Sequence, residues 1–266
     1  MHCSRGPKVF RENELTPAGV VKEVVTCWRS SSLKTASPQA GKLTSSQAFK
    51  LDRQKIKDII TLTERGKMLI KDAKKITDSL TGTSKMPGKS YSLPAWECQT
   101  GSKLWDNPTS PCFYCYAKKN NYVRYPAIKA AQYRRLDAIK HPQWVEAMVV
   151  QIKNMKFFRW HDAGDVQSSE HMANILEVAR QTPTVQHWMP TQERPYLPDP
   201  AAVPDNMIIR LSAAKIDGSA GKAWSHSSSV VTDGSETCPS GKQGNQCLDC
   251  RACWSKDIKN ISYGKH

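Results

Sequence analysis

Seven of the chain's nine cysteines fall into two bunches, and their spacing is the feature of this sequence most able to do chemistry. In the second bunch, Cys238, Cys247, Cys250 and Cys253 bring four thiolates within sixteen residues, a complete ligand set for one tetrahedral ion or one cubane. Zinc sites usually take two separated Cys-x2-Cys pairs. Three cysteines at x2 steps with a remote fourth are the layout of a 4Fe-4S cluster, so the pattern favours the cluster, with zinc as the alternative. Pro239, Gly241 and Gly244 let the backbone wrap closely around either. In the first bunch, Cys98, Cys112 and Cys115 supply only three thiolates. A site one ligand short leaves a position open: for water in a zinc enzyme, or for a substrate or cofactor on the free iron of a cubane. Cys3 and Cys27 stand alone and read as ordinary thiols.

Such groups work only on a scaffold that brings them together. Apolar residues recur at helical steps over 125–139, and again from Pro142 to Ile152, with proline in its favoured first turn. Residues 157–160 predict a short strand ending at the polar run His161-Asp162-Ala163-Gly164-Asp165. Ser168 is placed to cap a helix over 170–180. Further strands are expected over 185–189 and 207–211, and residues 91–95 predict a short strand leading to Cys98, after a loop over 81–90. This is the rhythm of an α/β domain on a parallel sheet, whose functional groups lie at the carboxyl ends of strands. His161 to Asp165, the Thr191-Gln192-Glu193-Arg194 run and Ser212 all fall there. His161, Asp162 and Asp165 can touch a ligand, bind a metal directly, or only cap the following helix. Trp160, Trp188 and Trp224 can stack on a base, but aromatics on strands usually fill a core.

Upstream, residues 46–80 carry apolar side chains at three- and four-residue steps among lysines, an amphipathic helix pattern broken near Gly66. Residues 1–48 show little periodicity. The formal net charge is +15, and residues 1–96 hold 18 Lys and Arg against 8 Asp and Glu. That surplus attracts phosphate backbones from a distance, so a nucleic acid or nucleotide is the expected partner class, against the plainer reading of a solvated surface. Lys118-Lys119 and Tyr133-Arg134-Arg135 stand where they can receive phosphates. No signal-peptide run opens the chain and no stretch approaches the roughly 20 apolar residues of a membrane span, which leads to the expectation of a soluble cytoplasmic protein without a membrane partner. In that reducing compartment, closely spaced cysteines read as metal ligands rather than disulfides.

The run Cys112-Phe113-Tyr114-Cys115-Tyr116-Ala117 resembles the end of the radical S-adenosylmethionine (SAM) motif, Cys-x3-Cys-x-aromatic-Cys. Thirteen residues separate Cys98 from Cys112 where that motif has three, a difference a folded-back loop can absorb because closure cost grows slowly with length. More closely, Lys85-Met86-Pro87-Gly88, residues 98–117, the run Arg159-Trp160-His161-Asp162-Ala163-Gly164-Asp165, Arg210-Leu211-Ser212 and the Cys-rich end together resemble the phage proteins called gene product eighty-eight, over residues 68–254. The radical SAM resemblance implies that Cys98, Cys112 and Cys115 hold a redox-active 4Fe-4S cluster whose free iron takes SAM. It implies that Tyr114, Ala163, Gly164, Asp165 and Ser212 contact that cofactor, with Asp165 in the acid role.

The fold expected is an α/β partial (β/α) barrel of radical SAM type. A basic, helical amino-terminal extension over 1–84 precedes the core over 85–230, and a Cys-rich tail over 231–266 holds an auxiliary cluster. The function expected is that of an iron-sulfur enzyme that generates a 5′-deoxyadenosyl radical to modify a nucleotide or nucleic-acid substrate, with His161 and Asp162 as candidate catalytic groups. An electron donor protein is then a partner, and host cytoplasm the location if the chain is of phage origin. The alternative is a non-catalytic nucleic-acid-binding protein stabilised by zinc.

Overall fold

The computed structural model describes residues 67–119 and 121–265. The lead-in over 1–48 and most of the amphipathic stretch expected over 46–80 lie outside the described residues. The end of that stretch forms helix α1, Ile70–Thr77.

Seven strands make one sheet: β1 Thr81–Gly82, β2 Lys89–Tyr91, β3 Phe157–Trp160, β4 Gln186–Thr191, β5 Met207–Ser212, β6 Ser227–Val231 and β7 Asn260–Gly264. They lie side by side in chain order. β1 is antiparallel to β2, and every later pairing is parallel. Parallel neighbours require a crossover, and the first two are helical. Helices α2 Asn121–Arg124, α3 Pro126–Ala138 and α4 Trp144–Ile152 join β2 to β3, and α5 Ser169–Gln181 joins β3 to β4. After β4 the crossovers contain only short 3-10 turns and loops among the described residues.

Side chains alternate across a strand, so the two sheet faces bury different sets. Phe158, Trp160, Met189, Met207 and Ile209 face Trp144, Met148 and Ile152 of α4 and Met172 and Ile175 of α5 in the main core. Trp188, from the other face of β4, meets Met86 and Trp254 in a smaller cluster, with Phe157, Cys247 and Cys253 packed against it. Helices therefore cover one face. The Cys-rich segment covers the other.

The expected helices over 125–139 and 170–180 are α3 and α5, and Ser168 caps α5 by accepting from the His171 amide at 3.0 Å. α4 begins at Trp144, two residues beyond the expected proline start. The strand expected over 91–95 lies earlier, at Lys89–Tyr91, and the expected loop over 81–90 contains β1. The shift has a backbone cause: beyond Tyr91 the Leu93 amide turns to the Ala163 carbonyl, at 2.8 Å, and leaves the ladder. The class is α/β, as expected, but the sheet is open, with no pairing of β7 to the first strands. β6 and β7 flank the second cysteine group, so that segment leaves the sheet and returns to it.

Candidate functional site

Cys98, Cys112 and Cys115 line one cavity of about 170 Å³, together with Gly164, Asp165 and Ser212. The loop between Cys98 and Cys112 is long, and one buried carboxylate closes it. Glu193, just past β4 and 1 % exposed, accepts from the Thr100 amide at 2.7 Å and the Thr100 hydroxyl at 2.6 Å. At Gly101 the chain then runs so close to the sulfurs that an added Cβ would stand 3.5 Å from Cys112 Sγ and 3.8 Å from Cys98 Sγ. Cys112 is the second residue of a 3-10 turn, Pro111–Tyr114, whose cap is the buried Ser110: the serine hydroxyl accepts from the Cys112 amide at 3.2 Å. All three cysteines are free thiols. Burial pushes the Cys112 thiol up to about 11, helped by Cys115, and raises Cys98 and Cys115 as well. Without a cation the three are protonated at neutral pH, and a bound metal would remove those protons.

The polar run after β3 closes the same cavity. Asp162 does not point a free acid into it: its carboxylate accepts from Ser90 Oγ at 2.5 Å, Ser92 Oγ at 2.6 Å and Tyr122 Oη at 2.7 Å. Its carbonyl accepts from the Tyr116 hydroxyl. The residue thus ties the β2 edge to the segment that follows Cys115. Asp165 is also held, by the Val166 and Gln192 amides, both at 2.8 Å, and by Thr191 Oγ1 at 2.7 Å. Burial nevertheless raises its carboxyl to about 7, against those hydrogen bonds. Gly164 is obligatory between them, since its φ is +78° and a Cβ would meet Leu93 Cβ at 2.6 Å. His161 has a φ of 55°, unusual for a residue with a Cβ. It is buried, and neither ring nitrogen has a partner among the described residues. Burial, and then the charge of Arg159, lower it to about 3, so the ring is neutral.

Ser212 lines the cavity and shares a 3.2 Å hydrogen bond with Ser228. Tyr114 is not among the lining residues; its ring packs against Phe113 and lies 4.1 Å under Lys265 Nζ. Of the three tryptophans, Trp160 fills the main core, Trp188 the smaller one, and Trp224 donates from its indole to the Ile209 carbonyl at 2.7 Å. The basic groups after the cysteine loop are in use: Lys118 sits 4.6 Å over Trp105, and Arg134 pairs with Asp78 at 2.8 Å.

The second cysteine group gathers on the sheet face opposite the helices. The Cys238 amide donates to the Ser262 carbonyl at 3.0 Å and the Cys247 amide to the Lys85 carbonyl at 2.7 Å. Left-handed backbone at Gly244 and Asn245 turns the chain between them, and at Leu248 it turns again before Cys250. Burial raises the Cys247 thiol, and the Cys238 and Cys250 sulfurs raise it further. Burial pushes Cys253 up to about 11, and its sulfur lies 3.5 Å from the Tyr263 hydroxyl. Trp254 anchors the segment, its indole donating to the Phe158 carbonyl at 3.1 Å. The fully buried Arg210 completes the attachment. It donates to the carbonyls of Ala252, Cys253, Ser255 and Ile258 at 2.9 to 3.2 Å and to Ser227 at 3.4 Å.

Among the described residues, no group of three or more His, Cys, Asp or Glu side chains is disposed to hold a metal ion. Nor is any helix long and apolar enough to cross a membrane. The roles of Glu193, Tyr122, Ser90 and Ser92 were not legible beforehand, because each acts on a partner 40 to 93 residues away. Only the position of Glu193 at a strand end hinted at one. A family model described as Gene product 88 matches residues 62–256, and the chain belongs to that family, which bears out the phage-protein part of the resemblance read from the residues. No curated protein and no solved structure matches the chain.

Proposed function

We propose that this member of the Gene product 88 family is an iron-sulfur enzyme of radical SAM type, with a 4Fe-4S cluster on Cys98, Cys112 and Cys115 and an auxiliary cluster on Cys238, Cys247, Cys250 and Cys253. One observation carries the reading. Three cysteines that are one ligand short share a cavity with Ala163, Gly164, Asp165 and Ser212, four of the five residues that the resemblance assigns to the cofactor. Six parallel strands in chain order are also the strand order of a (β/α) barrel, and differ from a doubly wound sheet, where the order reverses.

On this proposal the three thiolates serve a group wider than one ion. Thiolates around a single zinc must crowd within bonding reach of about 2.3 Å, whereas the cysteines of a cubane bind separate irons and stand further apart. The cavity volume of about 170 Å³ falls below the roughly 300–1,000 Å³ of pockets that enclose whole drug-sized ligands. It suits a compact cluster and the part of a ligand that touches it. When bound, the cluster would supply the electron that cleaves the sulfur-carbon bond of SAM and yields a 5′-deoxyadenosyl radical. The chain's own residues do the rest. Asp165, held by two amides and a hydroxyl, presents a carboxyl poised near neutrality, suited to an amino group. His161 offers a neutral imidazole, able to donate at one nitrogen and accept at the other. Asp162 ties the β2 edge to Tyr122 and Tyr116 beside the cysteine loop.

Anaerobic purification of the full chain with iron, sulfide and zinc analysis tests the reading. About eight irons per chain are expected from two cubanes, with reductive SAM cleavage that is lost in Cys112→Ala. Stoichiometric zinc without iron would instead point to the non-catalytic nucleic-acid-binding alternative.

A further inference from the structure

Arg159 presents the least satisfied cation in the cavity wall. It lies on β3, on the face away from the main core, and lines the same cavity as the three cysteines. Its guanidinium carbon lies 4.7 Å over the Trp188 ring, a cation–π contact that holds the fork against that side chain. Of its five N–H groups, the described residues engage only one, by a marginal 3.5 Å contact to the Tyr116 hydroxyl. Its Nε is buried without a partner. No ion pair with a carboxylate is formed by Arg159 among the described residues. Of the acidic groups that act on it, Asp162 is committed to Ser90, Ser92 and Tyr122, and the Cys253 sulfur and Tyr263 hydroxyl lie 3.5 Å from each other. A half-buried guanidinium whose Nε is buried and unpaired is costly, and an oxyanion arriving in the plane of the fork would satisfy two N–H groups at once.

We propose that Arg159 is an anion-binding residue of this cavity, and that it receives the carboxylate or phosphate of the molecule that enters. The inference rests on the reading of the cavity as a ligand site but not on the identity of the metal. The carboxylate of SAM and the phosphate of a nucleotide substrate are the two sources of one chemistry. Trp188 holds the fork against its ring, and Tyr116, which immediately follows Cys115, places it beside the first cysteine group.

The test uses the full-length chain, anaerobically purified, with iron content and melting temperature measured for wild type, Arg159→Gln and Arg159→Lys. Calorimetric titrations follow with three probes: SAM, 5′-methylthioadenosine, which lacks the carboxylate, and inorganic pyrophosphate. If the carboxylate is the anion, Arg159→Gln weakens SAM at least tenfold and leaves methylthioadenosine unchanged. If phosphate is the anion, wild type binds pyrophosphate and Arg159→Gln binds it at least tenfold more weakly. Arg159→Lys, which keeps the charge but not the fork, falls between. Equal affinities of wild type and Arg159→Gln for every probe overturn the proposal, as does wild type that binds none. Equal affinities with intact iron and SAM cleavage leave the enzyme reading standing. Pyrophosphate binding that depends on Arg159 in a chain that holds no iron does the reverse.

Discussion

Replacing Arg210 by Met tests whether the second cysteine group is held to the sheet by a single side chain. The guanidinium serves five carbonyls, four of them within residues 252–258. Methionine fills much of the same space but leaves those carbonyls without a donor in a dry interior. At the low end of about 1 kcal/mol for each unsatisfied group the loss is about 5 kcal/mol, and the relief of a buried charge returns part of it. A net loss of about 3–4 kcal/mol remains, a large share of a typical stability of about 5–15 kcal/mol. The loss should be local first, freeing the segment that carries Cys253. Urea unfolding should show the lower midpoint, and timed thiol titration should show Cys253 reacting far sooner than in wild type. A variant within about 1 kcal/mol of wild type, with Cys253 still protected, would refute the clamp. Arg210→Lys, with three donors in place of five, should fall between.

Glu193→Ala removes both acceptors of Thr100, so the long cysteine loop should loosen; iron analysis should show loss of the first cluster with the auxiliary one retained. Gly164→Ala combines a left-handed backbone with a clash against Leu93, and about 2–4 kcal/mol of destabilisation is expected in denaturant melts. Acid should unfold the apoprotein through its buried histidines. Burial lowers His161 to about 3 and His187 to about 4, and holds His171 well below its usual range. A base whose folded pKa is depressed leaves stability complete above the unfolded value near 6.5 and drains it as pH falls toward the folded one. Asp165, raised to about 7, acts in the opposite sense between about 4 and 7, when the folded state keeps a proton the unfolded chain has lost. Three groups against one leave a net loss of about 5 kcal/mol from pH 6.5 to 4.5, at about 1.4 kcal/mol per unit for each proton. Denaturant midpoints across that range measure it, and a flat profile would contradict the neutral burial of these rings.

The parts of the fold that were legible are those whose pattern is written in side chains. α5 shows its core face at helical steps through Met172, Ile175 and Val178, and β3 alternates between Phe158 and Trp160 on one face and Phe157 and Arg159 on the other. β6 was not legible because Ser227, Ser228 and Ser229 carry no apolar signal; that strand exists because its backbone completes parallel ladders on both sides. The candidate site divides in the same way. Cysteines announce themselves by type and spacing, and Asp165 by its place after a strand. The Glu193 closure joins residues 93 apart, and Arg210 works on backbone carbonyls, which leave no trace in a side-chain pattern.

The unequal coverage of the sheet bears on why the tail carries a full ligand set. The helix side buries nineteen residues in its main core, whereas the cluster beneath the tail holds Met86, Trp188 and Trp254, with Phe157, Cys247 and Cys253 packed against it. So small a cluster does little to order the loops between β6 and β7 against chain entropy, even with Arg210 as a clamp. Four thiolates that bind a metal can supply what the apolar surface does not, since binding energy at a site absent from the unfolded chain is folding energy. The first cysteine group needs no such help, because Glu193, Asp162 and Ser110 already hold its loop by hydrogen bonds. It is therefore free to be one ligand short. On the proposed reading the second group is not, and removal of the proposed metal should cost the tail its order while the first loop keeps its shape.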